Sequence, residues 1–241
     1  QVASVRLNSL FKEGIGILTY FGHSSSNALE FNLDNPEAYE NPGKYPVFIV
    51  MGCNAGSFYN YNVARLSTKE TISEKYVLAE GRGAVAFMAS THLGIIHYLD
   101  IYNTRNYRAM GQTQYGKTLG ECMDEAIRQT FALTTENDFY ARFQCEQFTL
   151  HGDPAIRLYT SPKPDYAIED AMVSIDPKYI PVSESSFKVT ANFVNLGRSL
   201  NRDVIVELKR TYPNNQVEVI KRDTMLFKTY QDSLSFTLPV V

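Results

Sequence analysis

Four short apolar runs constrain what this chain can fold into: GIGILTYF (14–21), PVFIVM (46–51), GAVAFMAS (83–90) and AIRLY (155–159). Each is of strand length, carries β-branched or aromatic residues, and has few polar positions. A strand apolar on both faces belongs inside a parallel sheet covered by helices, because a sheet with one wet face shows alternation instead. Between the runs, Thr68–Ala79 and Lys117–Ala132 carry helical spacing. In the second, Leu119, Cys122, Met123, Ala126, Ile127 and Thr130 share one face. Strands alternating with amphipathic helices predict an α/β domain over residues 1–160, with a mostly parallel sheet and flanking helices.

The pattern changes at Ser161, Pro162, Lys163 and Pro164, where two prolines in three residues favour an extended linker. Beyond it the apolar residues recur with period two: Phe187, Val189, Ala191 and Phe193, then Val204, Val206 and Leu208, then Leu234, Phe236 and Leu238. Turn residues intervene at Asn195-Leu196-Gly197 and Pro213-Asn214-Asn215. Residues 161–241 therefore read as a small antiparallel β-sandwich, immunoglobulin-like and short of its last strand. With 241 residues and 44% hydrophobic content, the chain can bury a core in both parts.

The formal charge of −3, from 23 basic and 26 acidic residues, lacks the basic footprint of a nucleic-acid binder. It also lacks the Lys/Arg-rich face of a helix lying on anionic lipid. No apolar run approaches the ~18 residues of a membrane span. The opening residues Gln1-Val2-Ala3-Ser4-Val5 show no signal peptide. Both ends read as cuts from a longer polypeptide, the sheet being truncated on its N-terminal side, so upstream and downstream segments of the parent are expected partners.

Two of the apolar runs end in a reactive residue. ILTYF leads into Gly22-His23-Ser24, and FIVM leads into Gly52-Cys53-Asn54. In an open parallel sheet, catalytic groups gather outside the carboxyl ends of strands. If the two strands are neighbours, His23 and Cys53 project from one sheet edge. A thiolate is the attacking species, and an adjacent imidazole deprotonates the thiol or stabilises the thiolate as its cation. Gly22 and Gly52 are expected to let the backbone turn sharply, and Gly56 to let it approach a substrate. The order excludes an α/β-hydrolase elbow, since glycine directly precedes Cys53, and papain-like order is reversed.

A hydrophobic block and His followed by a hydrophobic block and Cys resembles the caspase-like cysteine peptidases, and within them the gingipain family, peptidase family C25. The matching stretches are Tyr20-Phe-Gly-His23, Met51-Gly-Cys-Asn-Ala-Gly-Ser-Phe58, Glu80-Gly-Arg-Gly-Ala-Val-Ala-Phe-Met-Ala-Ser90 and Leu150-His-Gly-Asp-Pro-Ala-Ile-Arg-Leu158. An immunoglobulin-like module after the peptidase domain is also a gingipain-like arrangement. The resemblance implies a caspase-like fold and a secreted cysteine endopeptidase acting on protein or peptide substrates; no cofactor is expected, and the spacing of the chain's own residues points to no metal site. It aligns Cys53 with the nucleophile and His23 with the general base and acid. Backbone at Ser24, Gly52 and Cys53 would surround the oxyanion, with the N–H groups of Ser24 and Cys53 as donors. The family usually has glycine where this chain has Ser24. Ser90, Thr91 and His92 fall on a loop that borders the substrate pocket in that family. Relatives are exported by type IX secretion, so the implied location is outside the cell or on its surface. The alternative is an inactive or sortase-type, secretion-linked surface module in which the β-sandwich does the binding.

The remaining reactive residues have plainer readings. Cys122 and Cys145 read as packing residues, and three cysteines without a C-x-x-C spacing point to neither a disulfide framework nor zinc. His97 reads as surface or local packing. Asp153 and Pro154 set a tight turn before the run 155–159, and His151 bonds locally. Glu121, Asp124 and Glu125 read as a solvated helix face.

Overall fold

The strands β1 (Ile17–Phe21), β2 (Val47–Met51) and β3 (Ala86–Ser90) form where the first three apolar runs lie. The computed structural model describes residues 2–30, 33, 35–59, 71–135, 137–181, 183–200, 202–227 and 231–240. The chain forms two compact units, 1–159 and 160–241.

In the first unit β2 and β3 are buried at every position, as expected of central strands with helices on both faces. The sheet order is β1-β2-β3-β4, where β4 is Phe148–Gly152. β1, β2 and β3 are parallel, and β4 runs antiparallel to β3. The helices are α1 (Val2–Glu13), α2 (Ile72–Val77), α3 (Ile96–Arg108), α4 (Leu119–Thr134) and α5 (Phe139–Gln147).

The pleat sends alternate residues to opposite faces. Val47, Ile49, Met51, Ala86 and Met88 meet α3, α4 and α5 through Leu99, Tyr102, Leu119, Cys122, Ala126 and Cys145. Phe48, Val50, Phe87 and Ala89 meet Phe11 of α1 and Ile72 and Tyr76 of α2. Phe48 is fully buried, stacked 5.3 Å from Phe87 and tilted against Tyr76 at 4.4 Å. Phe48→Ala is expected to cost about 3–5 kcal/mol, read from urea unfolding of the chain, because neighbours on both sides limit collapse of the cavity.

The helix expected over 117–132 appears as α4, with Leu119, Cys122, Ala126 and Thr130 buried. Thr118 and Glu121 form a reciprocal capping box that fixes its start. The helix expected over 68–79 appears as α2, and residues 68–70 lie outside the described residues. Three helices, α1, α3 and α5, have no counterpart in the sequence reading. In α3 only Leu99, Tyr102 and Asn106 are buried while Ile96 is exposed, so its apolar stripe is faint.

One expected strand is corrected. The run 155–159 does not join the sheet; β4 takes that place, seven residues earlier than the run begins. Gly152 turns in the left-handed region (φ 138°), and the Asp153 carboxylate accepts from the Ala155 N–H at 2.8 Å. That turn carries the chain off the sheet to the start of α4, where the Leu119 N–H donates to the Ile156 carbonyl at 2.8 Å. Ile156 and Leu158 bury themselves by packing on the helical face instead of by strand pairing. An apolar run records burial, and burial has more than one geometry.

The second unit is all-β. Its strands are β5 (Tyr166–Ala167), β6 (Val173–Asp176), β7 (Ser186–Asn195), β8 (Arg202–Thr211), β9 (Val217–Phe227) and β10 (Gln231–Pro239). β7 pairs antiparallel with β10, β5 and β6, and β8 with β9 form a second sheet. Val189, Phe236 and Leu238 make its core against Val206, Leu208 and Ile220, all inward positions of the period-two pattern or its continuation. The Asn195 side chain accepts from the Gly197 N–H, and Asn215 takes φ 61°, so both expected turns form.

Candidate active site

β1 and β2 pair in register, Ile17 opposite Val47 through Phe21 opposite Met51. The next residues, Gly22-His23 and Gly52-Cys53, therefore leave the sheet together at its carboxyl edge. The Gly22 N–H extends the ladder one step to the Met51 carbonyl at 3.1 Å. Ser24 then ties the two loops, its hydroxyl donating to the Cys53 carbonyl at 2.7 Å. His23 is exposed, its carbonyl held by the Tyr20 hydroxyl at 2.5 Å. Cys53 is half-buried.

The glycines act through space more than through φ, which corrects the expectation of sharp glycine turns. A Cβ on Gly52 would sit 2.2 Å from Ser24 Oγ and 2.7 Å from the Gly22 carbonyl, and one on Gly22 would sit 2.9 Å from the Tyr20 hydroxyl. The left-handed residue of the loop is Asn54, φ 58°. Gly56 is buried against the Ala89 carbonyl of β3 and not open to a substrate; its N–H donates to the Ser90 carbonyl at 2.9 Å.

The loop after β3 closes onto Cys53. Asn54 N–H donates to the His92 carbonyl at 2.8 Å, and Gly94 N–H donates to Cys53 Sγ at 3.3 Å. Ser90 is fully buried, and its hydroxyl accepts from Gln144 Nε2 at 3.0 Å. Thr91 is half-buried with its N–H on the Gln147 carbonyl at 2.9 Å, while His92 is exposed. Ring contacts run outward from there: His92 to Phe143, Phe143 to Phe139, Phe139 to Tyr140, and Tyr140 to Tyr98.

The N–H groups of Ser24 and Cys53 make no hydrogen bond to a backbone carbonyl among the described residues. The other two thiols sit in different surroundings. Burial pushes Cys122 and Cys145 up to about 11, so neither supplies thiolate at neutral pH. Burial likewise depresses the His151 imidazole, whose ring meets Phe58 edge-on at 4.5 Å. His97 is exposed beside Tyr98, 5.2 Å between ring centres. Glu121, which caps α4, and Asp124, which pairs with Arg128, are exposed as expected, whereas Glu125 is half-buried and accepts from Gln129. Gly94, Gln144 and Gln147 are what the sequence reading missed. The one available signal was a glycine four residues past the end of an apolar run.

The family model for peptidase family C25 matches residues 1–159. The chain belongs to peptidase family C25. Among solved structures it is similar to the Arg-specific cysteine proteinase gingipain R, with TM-score 0.55 and 16% identity, covering 94% of this chain and 50% of that one. A complex of Porphyromonas gingivalis RgpB pro- and mature domains gives TM-score 0.54 and 16% identity, covering 98% and 56%. The chain thus spans about half the length of the structures it matches. A search of curated proteins finds no match. The family model thus places residues 1–159 in a family of peptidases, and the structural likeness shows the fold, which is of the caspase-like kind.

Proposed function

We propose that the chain carries the catalytic centre of a cysteine endopeptidase, with Cys53 as nucleophile and His23 as general base and acid. The observation that supports this most is the β1–β2 register, which brings a Gly-His and a Gly-Cys to one sheet edge. In this reading His23 takes the thiol proton, and Cys53 Sγ adds to the scissile carbonyl. The carbonyl oxygen gains the negative charge and accepts hydrogen bonds from the N–H groups of Ser24 and Cys53. The C–N bond breaks as His23 protonates the departing amine, leaving a thioester. Water, deprotonated by His23, then hydrolyses the thioester and returns the thiol. Gly52 keeps the backbone close enough for both donors, and Thr91 and His92 border the bound peptide.

The substrate is a polypeptide, and the protein works outside the cell or on its surface, a reading supported by its likeness to gingipain R. Residues 161–241 act as an immunoglobulin-like module after a peptidase domain that ends near residue 160. The complex of RgpB pro- and mature domains supports segments of the parent polypeptide as partners.

Iodoacetamide at neutral pH tests the centre directly. Cys53 is expected to label at least about 100-fold faster than Cys122 or Cys145, followed by peptide mass spectrometry, because only a thiolate attacks. Equal slow labelling of all three would leave a binding module with an inactive peptidase fold.

A further inference from the structure

Three side-chain hydrogen bonds hold the segment from Ser90 to Ile95 that faces Cys53, and a fourth joins the two glutamines that make them. Gln144 is fully buried; its Oε1 accepts from the Ile95 N–H at 3.2 Å and its Nε2 donates to Ser90 Oγ at 3.0 Å. Gln147, also buried, donates from Nε2 to the Leu93 carbonyl at 2.7 Å and to Gln144 Oε1 at 3.2 Å. The two amides lie one turn apart on α5 and hold the residues on either side of Gly94. Position 94 leaves no space for a side chain, since a Cβ there would be 2.6 Å from a Leu99 methyl and 3.0 Å from the Gly52 carbonyl. Its N–H lies 3.3 Å from Cys53 Sγ, and its carbonyl is farther, at 3.9 Å.

We propose that Gln144 and Gln147 are positioning residues that hold the Gly94 N–H on Cys53 Sγ, making that backbone donor a stabiliser of the thiolate. The proposal rests on Cys53 being the nucleophile. A buried amide N–H is costly to leave unpaired, so Gln144 and the Nε2 group of Gln147 favour keeping these bonds, while Gln147 Oε1 has no partner among the described residues. An N–H donor strengthens when its acceptor becomes an anion, so the contact favours thiolate over thiol. Because the donor is a main-chain group, its aim depends on what fixes the loop, and Leu93 and Ile95 are its immediate neighbours.

The test compares the wild-type chain with Gln144→Met, Gln147→Met and Asn41→Ala. Methionine keeps the length and unbranched shape of glutamine and removes the hydrogen bonds. Asn41 is the control: it is buried and bonds Lys44 and Gly83 at the amino ends of β2 and β3, away from Cys53. Two readouts are taken at neutral pH, the iodoacetamide rate at Cys53 and the ultraviolet thiolate absorbance that alkylation removes. Gln144→Met is expected to slow Cys53 about tenfold and Gln147→Met about threefold, each with a matching loss of thiolate absorbance. Asn41→Ala is expected to lower thermal stability and leave Cys53 within about twofold of wild type.

If folded Gln144→Met and Gln147→Met both label like wild type, the brace is wrong and the nucleophile stands. A slowing by Asn41→Ala equal to that of Gln144→Met also overturns the brace, because general instability then accounts for it. Should Gln144→Met fail to fold, Gln147→Met decides alone by the same criterion. If wild-type Cys53 itself labels no faster than Cys122 and Cys145, it is the nucleophile reading that fails.

Discussion

A Cys53→Ala variant is expected to cleave no peptide bond above background while unfolding within about 1 kcal/mol of the parent. Alanine offers no electron pair to a carbonyl carbon, and the other two thiols are buried and held protonated. The half-buried thiol hydrogen-bonds to the Gly94 backbone, and losing one such contact is a small change in stability. Cys122→Ala and Cys145→Ala should keep activity and lose stability instead, since both lie in the core between sheet and helices. His23→Ala is expected to lower kcat/KM by about 10²–10⁴-fold, the usual contribution of a positioned base. Steady-state cleavage of a peptide mixture alongside urea unfolding separates these outcomes. Parent-rate cleavage by Cys53→Ala would place the nucleophile elsewhere.

Gly52→Ala is the second large effect. The added methyl would lie 2.2 Å from Ser24 Oγ, a separation no carbon–oxygen contact tolerates, and 2.7 Å from the Gly22 carbonyl. Ser24 must rotate away and lose its bond to the Cys53 carbonyl, or the His and Cys loops must part. Either response shifts reacting groups by a sizeable fraction of an ångström, so kcat/KM is expected to fall about 100-fold. Stability is expected to fall by about 1–3 kcal/mol, as for other overpacked sites. Adding Ser24→Gly to this variant removes the first clash and leaves the backbone clash with Gly22, so the double variant should recover only part of the loss. A double-mutant cycle on kcat/KM measures that coupling. Wild-type kcat/KM in Gly52→Ala would mean the two loops are not strapped as described.

Much of the fold was legible because burial leaves a local trace. PVFIVM is apolar at every position and the second half of GAVAFMAS at every position but Ser90, and they became the two central strands, covered on both faces. The face of α4 was legible for the same reason, its apolar residues falling at helical intervals. Where the trace is weak, the reading stopped. α3 and α5 bury mixed residues, among them Asn106, Gln144 and Gln147, whose polarity hides an inward face. AIRLY left a strong trace with the wrong geometry attached, because Ile156 and Leu158 bury themselves on the helical layer beside the start of α4.

The sequence by itself determined the strand endings that carry Gly22-His23 and Gly52-Cys53, since each is a local run followed by a local turn. It also determined that the chain changes character after Pro162 and Pro164. Only the tertiary structure decided that β1 lies beside β2 in a register that aligns those endings. Only the tertiary structure brought Gly94 to Cys53, 41 residues away, and Gln144 to Ile95, 49 residues away. Each of these is a single hydrogen bond between distant segments, made possible by packing that the whole sheet and helix layer supports. A bond of that kind leaves no periodicity, because neither partner's residue type is required by its own neighbours in the chain.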